Sequence, residues 1–262
     1  MKLITSRDNT LYKELKHLAT SSQARRKSAS TILDGVHLCQ SYLEHHGQPT
    51  WCVVNEISQY HPEIAQLLSK ADRQLILADT LYQSLSQVEH GIGIFFVIPI
   101  LKLPVPDVII HTAVMLDNLQ DPGNLGSLLR SAAAAGIRQI FCGAETVSAW
   151  SPKVLRAGMG AHFVLEIYEQ IDLMAALHNS TLPVIATSSH ANQTIYDCAL
   201  NKPVIWLFGH EGHGISDDLM RRATEQVSIP HLGKIESLNV AASAAICFFE
   251  QLRQNRLNQT FK

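Results

Sequence analysis

Three short stretches of this chain set polar and charged residues among glycine, serine and alanine, where bulky core side chains would be expected. The first is NLQDPGNLGSLLRSAAAAGI (118–137), in which Asn124 follows Asp-Pro-Gly and a lone guanidinium, Arg130, stands at helical spacing from Gly126, Ser127, Ala133 and Ala134. Asp-Pro-Gly forms turns, and Asn124 is suited to cap the helix that follows by accepting an early helical N–H. The opening turn of a helix attracts anions through its free N–H groups and its dipole. Helical side chains lean toward the N-terminus, so Arg130, roughly 9 Å of rise beyond Asn124, is expected to reach back toward the same loop and make a corner for phosphate. The same small residues also suit close packing against a neighbouring helix, with Arg130 capping a surface acid, and the stretch alone leaves both readings open.

The second stretch, WLFGHEGHGIS (206–216), runs an apolar segment into Gly209, Gly212 and Gly214 around Glu211. Glycine permits positive φ and close approach of a ligand to the backbone, which suits a flat group such as adenine held by main-chain atoms. His210, Glu211 and His213 raise zinc, but the histidines are three apart rather than in HExxH spacing and no cysteine is near, so no metal is expected. In the third stretch, VSIPHLGKIESLNVAASAAICFFE (227–250), a strand ends at Pro230 and a glycine loop carries His231 and Lys234. Ser237 then serves as helix cap, and Asn239 brings a donor and an acceptor into a first helical turn where asparagine has little propensity value.

The elements that must position these loops follow from periodicity. After the proline-rich PILKLPVPD (99–107) come strand AVMLDN, a helix over 124–136, strand RQIFCG and a helix over 152–159. Helix DLMAALHN, strands PVIATS and PVIWLFG, a helix over 216–223, strand QVSIP and a long helix from about Leu238 complete the series. Alternating helices and apolar, β-branched strands imply a mostly parallel sheet with helices on both faces, whose sites lie at the loops leaving the strands' carboxyl ends. Before the prolines, helices near 11–18, 36–45 and 64–70, a basic loop between the first two, and strands at 51–55 and 92–98 imply a smaller α/β domain. The expected division is therefore 1–98, a linker over 99–107, and 108–262.

With 46% hydrophobic and 17% charged residues the chain has the balance of a globular protein. No apolar run reaches the roughly 18 residues of a membrane span, and the charged start does not read as a signal peptide, so a cytoplasmic protein is expected. Five scattered cysteines without CxxC spacing read as reduced, buried thiols. The first 30 residues carry seven Lys or Arg against two carboxylates within a chain of formal charge −2. That basic end suits phosphate, as it does a solvated helix face.

Together and in this order, the three stretches resemble the three motifs of the SpoU (TrmH-type) RNA ribose 2′-O-methyltransferases of the SPOUT class, over most of residues 112–250. The resemblance implies a C-terminal trefoil knot, an obligate homodimer, and S-adenosylmethionine bound mostly by main-chain groups around Gly209, Gly214, Ile229, Leu238 and Asn239. Asn124, Arg130, Glu211, Ser237 and Asn239 match the family's polar site positions. Residues 4–38 are similar to the family's substrate-binding extension, which resembles ribosomal RNA-binding proteins. This makes Arg7, Lys13, Arg25, Arg26 and Lys27, with Arg130, the expected RNA contacts. TILDG stands where the family usually has an aromatic and a glutamate before the glycine, His231 replaces a frequent methionine, and Gly158 replaces a frequent serine. The implied reaction is methyl transfer to a ribose 2′-hydroxyl, in ribosomal RNA by analogy with members that carry the extension. Transfer RNA is the alternative substrate, and a catalytically silent RNA-binding module the alternative function. A nucleotide-dependent oxidoreductase is weakened by the missing GxGxxG loop after a first strand.

Overall fold

Strands and helices follow one another along the computed structural model, which describes residues 2–86 and 92–260. In chain order they are β1 (Lys2–Ile4), α1 (Thr10–Thr20), α2 (Ser22–Ser28), β2 (Ser30–Asp34), α3 (Val36–His46), β3 (Trp51–Asn55), α4 (Pro62–Ser69), β4 (Gln74–Leu77), α5 (Asp79–Gln83) and β5 (Ile94–Pro99). There follow β6 (Ala113–Leu116), α6 (Pro122–Ala134), β7 (Gln139–Gly143), α7 (Pro152–Gly158), β8 (Glu166–Ile171) and α8 (Leu173–His178). The chain continues with β9 (Val184–Thr187), β10 (Gln193–Thr194), β11 (Ile205–Phe208), α9 (Asp217–Arg222), β12 (Glu225–Ser228) and α10 (Val240–Thr260). These elements form two units: Met1–Lys102 with Trp150–Phe163, and Leu103–Ala149 with Val164–Lys262. The division is discontinuous, so α7, which the sequence reading places in the C-terminal domain, belongs to the first unit.

In the first unit five strands lie in the order β1-β4-β3-β5-β2. β1, β4 and β3 run parallel, and β5 is antiparallel to both β3 and β2. One face of this sheet buries Val53, Leu75, Phe95 and Val97 against Tyr12, Leu15 and Leu18 of α1 and Leu81 and Tyr82 of α5. The basic segment after α1, expected as a loop, is a helix: Ser21 caps it by accepting the Ala24 N–H, and Ala29 ends it with φ of 47°. The helical form turns Arg25 inward, where it is 5% exposed and donates from Nη1 to the Leu18 carbonyl at 2.9 Å. Arg25 therefore satisfies the frayed end of α1 and is not available to RNA, contrary to expectation. Arg7, Lys13, Arg26 and Lys27 are exposed, and Lys13 pairs with Asp8 at 3.1 Å.

The second unit holds seven strands in the order β10-β12-β9-β11-β6-β7-β8, every neighbouring pair parallel. Alternate residues serve opposite faces. Met115, Phe141, Ala186 and Leu207 pack with Leu173 and Leu177 of α8 and Leu219 of α9. On the other face, the Trp206 and Phe208 rings meet Phe248 of α10, and Trp206 Nε1 donates to Gln251 Oε1 at 2.8 Å. Helix α6 packs on α10. All five cysteines are buried thiols, and burial pushes Cys52, Cys198 and Cys247 up to about 12. Among the described residues no helix is long and apolar enough to cross a membrane.

Candidate active site

β6 is the strand at which the order of strand addition reverses, with β7 and β8 on one side and β11 and β9 on the other. A crevice opens beyond the carboxyl ends of parallel strands at such a point and is where ligands bind. The loops leaving β6 and β11 are cross-linked there. Glu211 Oε1 accepts the Asp121 amide at 3.0 Å and Asn124 Nδ2 at 3.1 Å, while Oε2 accepts the Gln120 amide at 3.1 Å. Partial burial pushes this carboxyl up, but the bonds from Asn124 and from the amides of Asp121, Glu211 and Gln120 prevail and hold it below its ordinary value. Asp117 Oδ2 adds a second tie by accepting the Ser216 amide at 2.8 Å.

The third stretch joins through Asn239, whose Nδ2 donates to Asn124 Oδ1 at 2.7 Å. Asn239 Oδ1 meanwhile accepts the amides of Ala241 and Ala242 at 2.9 and 3.2 Å, which makes Asn239, rather than Ser237, the cap of α10. Asn124 is likewise not the cap of α6: Asp121 fills that place, its Oδ1 accepting the Asn124 amide at 2.7 Å, with Pro122 as the first helical residue. Relieved of capping, the Asn124 side chain carries the chain of bonds from Glu211 to Asn239. The residues that the sequence reading overlooked here are Asp117, Gln120 and Asp121. The Asp-Pro pair was the available signal, because proline favours the first helical position and aspartate the one before it.

The three glycines act differently from one another. Gly214 adopts φ of +73°, a conformation open to glycine at little cost. Gly209 is required by the chain itself: a Cβ there would lie 2.2 Å from the carbonyl carbon and oxygen of Gly214. Close approach of a ligand therefore does not explain Gly209. A Cβ on Gly212 would meet only the His210 ring, at 3.5 Å or more. In the third loop His231 links the carbonyls of Ile229 and Ile235, at 3.1 and 2.9 Å. Residues 231–238 make no main-chain hydrogen bonds to one another or to other described residues, and Leu232 is fully exposed. Ile229 and Leu238, at either end, are half-buried.

Arg130 is exposed on α6 and makes no hydrogen bond or ion pair with any described residue, and Glu211 bonds the 120–124 loop rather than this guanidinium. Ser237 is exposed and similarly unbonded. Asn124, Glu211 and Asn239 are thus drawn together directly, whereas Arg130 and Ser237 lie on the same elements without joining the network.

This meeting of three loops at one strand edge coincides with a family relationship. Residues 111–249 match the SpoU rRNA methylase family. The chain belongs to that family. Over 96% of its length it is 30% identical to an uncharacterized tRNA/rRNA methyltransferase of Synechocystis, spanning 93% of that protein. Over 95% of its length it is 27% identical to the 23S rRNA (guanosine(2553)-2′-O)-methyltransferase RlmP of Bacillus subtilis, spanning 98% of it. The structure of an AdoMet-bound rRNA methyltransferase from Sinorhizobium meliloti superposes with a TM-score of 0.82 at 26% identity, covering 96% of this chain and 97% of that one. The mostly parallel α/β fold is therefore that of the SpoU family.

Proposed function

We propose that this SpoU-family member transfers a methyl group from S-adenosylmethionine to a ribose 2′-hydroxyl of ribosomal RNA. The observation that carries the reading is the bond chain Glu211–Asn124–Asn239, which unites the three family motifs at the open edge between β6 and β11. The residues fit the cofactor. The main-chain groups of 231–238, apart from the Ile235 carbonyl held by the His231 ring, offer donors and acceptors for an adenosine, with Ile229 and Leu238 at the ends of that loop, and space is open beside Gly214. When bound, S-adenosylmethionine supplies an electrophilic methyl on a sulfonium.

The chain's own task is to present the ribose hydroxyl in line and stabilise the charge that develops on its oxygen. Arg130 is the free cation on α6. A guanidinium stays protonated at physiological pH, so its role is to grip the RNA phosphate and stabilise the oxyanion rather than to act as base. Asn124, held by Glu211, and Asn239, bonded to Asn124, orient the ribose, and Ser237 adds a hydroxyl to the lining. Arg7, Lys13, Arg26 and Lys27 supply phosphate contacts from the first unit. Ribosomal RNA is favoured because similarity to RlmP extends over nearly the whole of both chains. The protein acts in the cytoplasm as a homodimer, with its last segment threaded as the family's trefoil knot.

The test is mass-spectrometric mapping of 2′-O-methylation in ribosomal and transfer RNA from cells with and without the gene, alongside methyl incorporation by the purified protein. Loss of one ribosomal ribose methyl group is expected; loss confined to transfer RNA would replace the substrate, and no loss together with no incorporation would overturn the reading. Arg130→Ala should fold and bind S-adenosylmethionine in calorimetry, yet transfer methyl at least about 100-fold more slowly. Near-normal turnover would remove Arg130 from the mechanism.

A further inference from the structure

His210 Nδ1 lies 2.8 Å from the Gly212 amide nitrogen and 3.2 Å from that of His213. Both groups are donors only, so Nδ1 has to offer its lone pair and the ring proton has to sit on Nε2. The tautomer is therefore dictated by the backbone rather than chosen between equivalent networks. The same residue closes the turn through its main chain, donating to the Gly214 carbonyl and accepting the Gly214 amide, both at 2.9 Å. The turn has no slack behind it, because Gly209 leaves no room for even a methyl group against Gly214. Glu211 rides within this turn and reaches across to Gln120, Asp121 and Asn124.

We infer that His210 is a positioning residue whose unprotonated Nδ1 shapes the turn that presents Glu211, so that assembly of the site requires a neutral imidazole at position 210. An imidazolium carries a proton on Nδ1 and would turn it against two N–H groups, losing both bonds and expelling the ring from the turn. Protonation at Nδ1 would therefore undo the turn. The titratable and charged groups on the elements around the turn are His213, whose ring centroid is 4.6 Å from that of His210, Glu211, Asp117 and Asp121 of the β6 loop, and Asp217 and Asp218 opening α9. None of these reaches Nδ1 as a hydrogen-bond partner in place of the two amides. The inference rests on the methyltransferase reading for its effect on rate, but not for the tautomer.

Three substitutions separate the shape of this ring from its charge. His210→Asn places an amide oxygen where Nδ1 stands and cannot be protonated. His210→Gln carries its oxygen at the position of Nε2, out of reach of both amides, and His210→Ala has no acceptor. The wild type should lose transfer rate on acidification. His210→Asn should keep within about threefold of the neutral rate and lack that acid limb, while the Gln and Ala variants should be slower by about tenfold or more at neutral pH. Nitrogen-15 spectra should place the His210 proton on Nε2 at neutral pH, and carboxyl carbon-13 spectra should show the Glu211 titration moving toward the ordinary range in the Gln and Ala variants. A proton on Nδ1, an alanine variant with wild-type rate and pH profile, or an acid limb undiminished in His210→Asn would overturn the inference. Wild-type protein that transfers no methyl under any condition would overturn the methyltransferase reading instead, while the spectra still decide the tautomer.

Discussion

Among the described residues two asparagine–carboxylate clasps occur, one in each sheet, and both bridge the exits of neighbouring parallel strands. In the first unit Asn55, at the end of β3, donates to Asp79 beyond β4 at 2.6 Å and accepts the Ile57 amide at 2.8 Å, while Glu56 accepts the Asp79 amide at 2.9 Å. In the second, Asn124 donates to Glu211 across the exits of β6 and β11. The chemistry is the same but the setting is not: Asn55 is 3% exposed with Asp79 and Glu56 half-buried, whereas Asn124 is half-buried and Glu211 and Asn239 are exposed. Asn55 and Asp79 also lie close in sequence, whereas Asn124 is held by residues 87 and 115 positions away. The more buried clasp serves stability, and the open one holds three loops in register while leaving their polar atoms within reach of a ligand.

Substitutions should separate the two clasps by size of effect. The largest change is expected from Gly209→Ala, which drives a methyl group into the Gly214 backbone behind the open clasp. It should cost about 3 kcal/mol in urea unfolding and abolish S-adenosylmethionine binding in calorimetry; unchanged binding would mean that the turn yields easily. Asn55→Ala strips the more buried clasp and leaves Asp79 without its buried donor, for about 2 kcal/mol, with cofactor binding kept. Equal loss of binding would erase the distinction between the clasps. The smallest stability effect, below about 1 kcal/mol, is expected from Asn124→Ala.

That last variant also tests the pH dependence of the open clasp. Because the folded state holds the Glu211 carboxyl below its ordinary value, its contribution is fully present above the unfolded glutamate value of about 4.3 and is lost as pH falls through the lower folded one. Asn124→Ala removes the leading bond that lowers this carboxyl. Its titration, followed by carboxyl carbon-13 resonances, should move up, and the stability difference from wild type should shrink in acid.

Much of the second unit was legible because its strands are apolar runs bounded by turn residues, and WLFG, RQIFCG and PVIATS each lie on a strand of the sheet. β8 was not, since Glu166, Glu169 and Gln170 break EIYEQI into neither an apolar run nor a strict alternation, and short β1 and β10 offer too few residues for a period. The basic segment after α1 read as a loop because serine and charge dominate it, yet Arg25 buries itself and makes α2 a packed helix. The polar residues of the site were readable as types: Asn124, Glu211 and Asn239 stood out among small neighbours. Their partners were not, and the two caps fell three and two residues from their expected places, at Asp121 and Asn239. Each of these side chains can serve either a helix end or a distant neighbour, and spacing alone does not choose between those uses.

By itself the sequence singled out the three loops that the fold joins, because glycine, serine and alanine in place of core residues, and a lone cation among them, are visible in one dimension. The tertiary structure alone decided that Glu211 grips the 120–124 loop rather than Arg130, that Gly209 is demanded by its own chain, and that Arg25 is internal. Those outcomes depend on distances between residues far apart in the chain, set when the sheet brings β6 beside β11, and local pattern carries no measure of such distances.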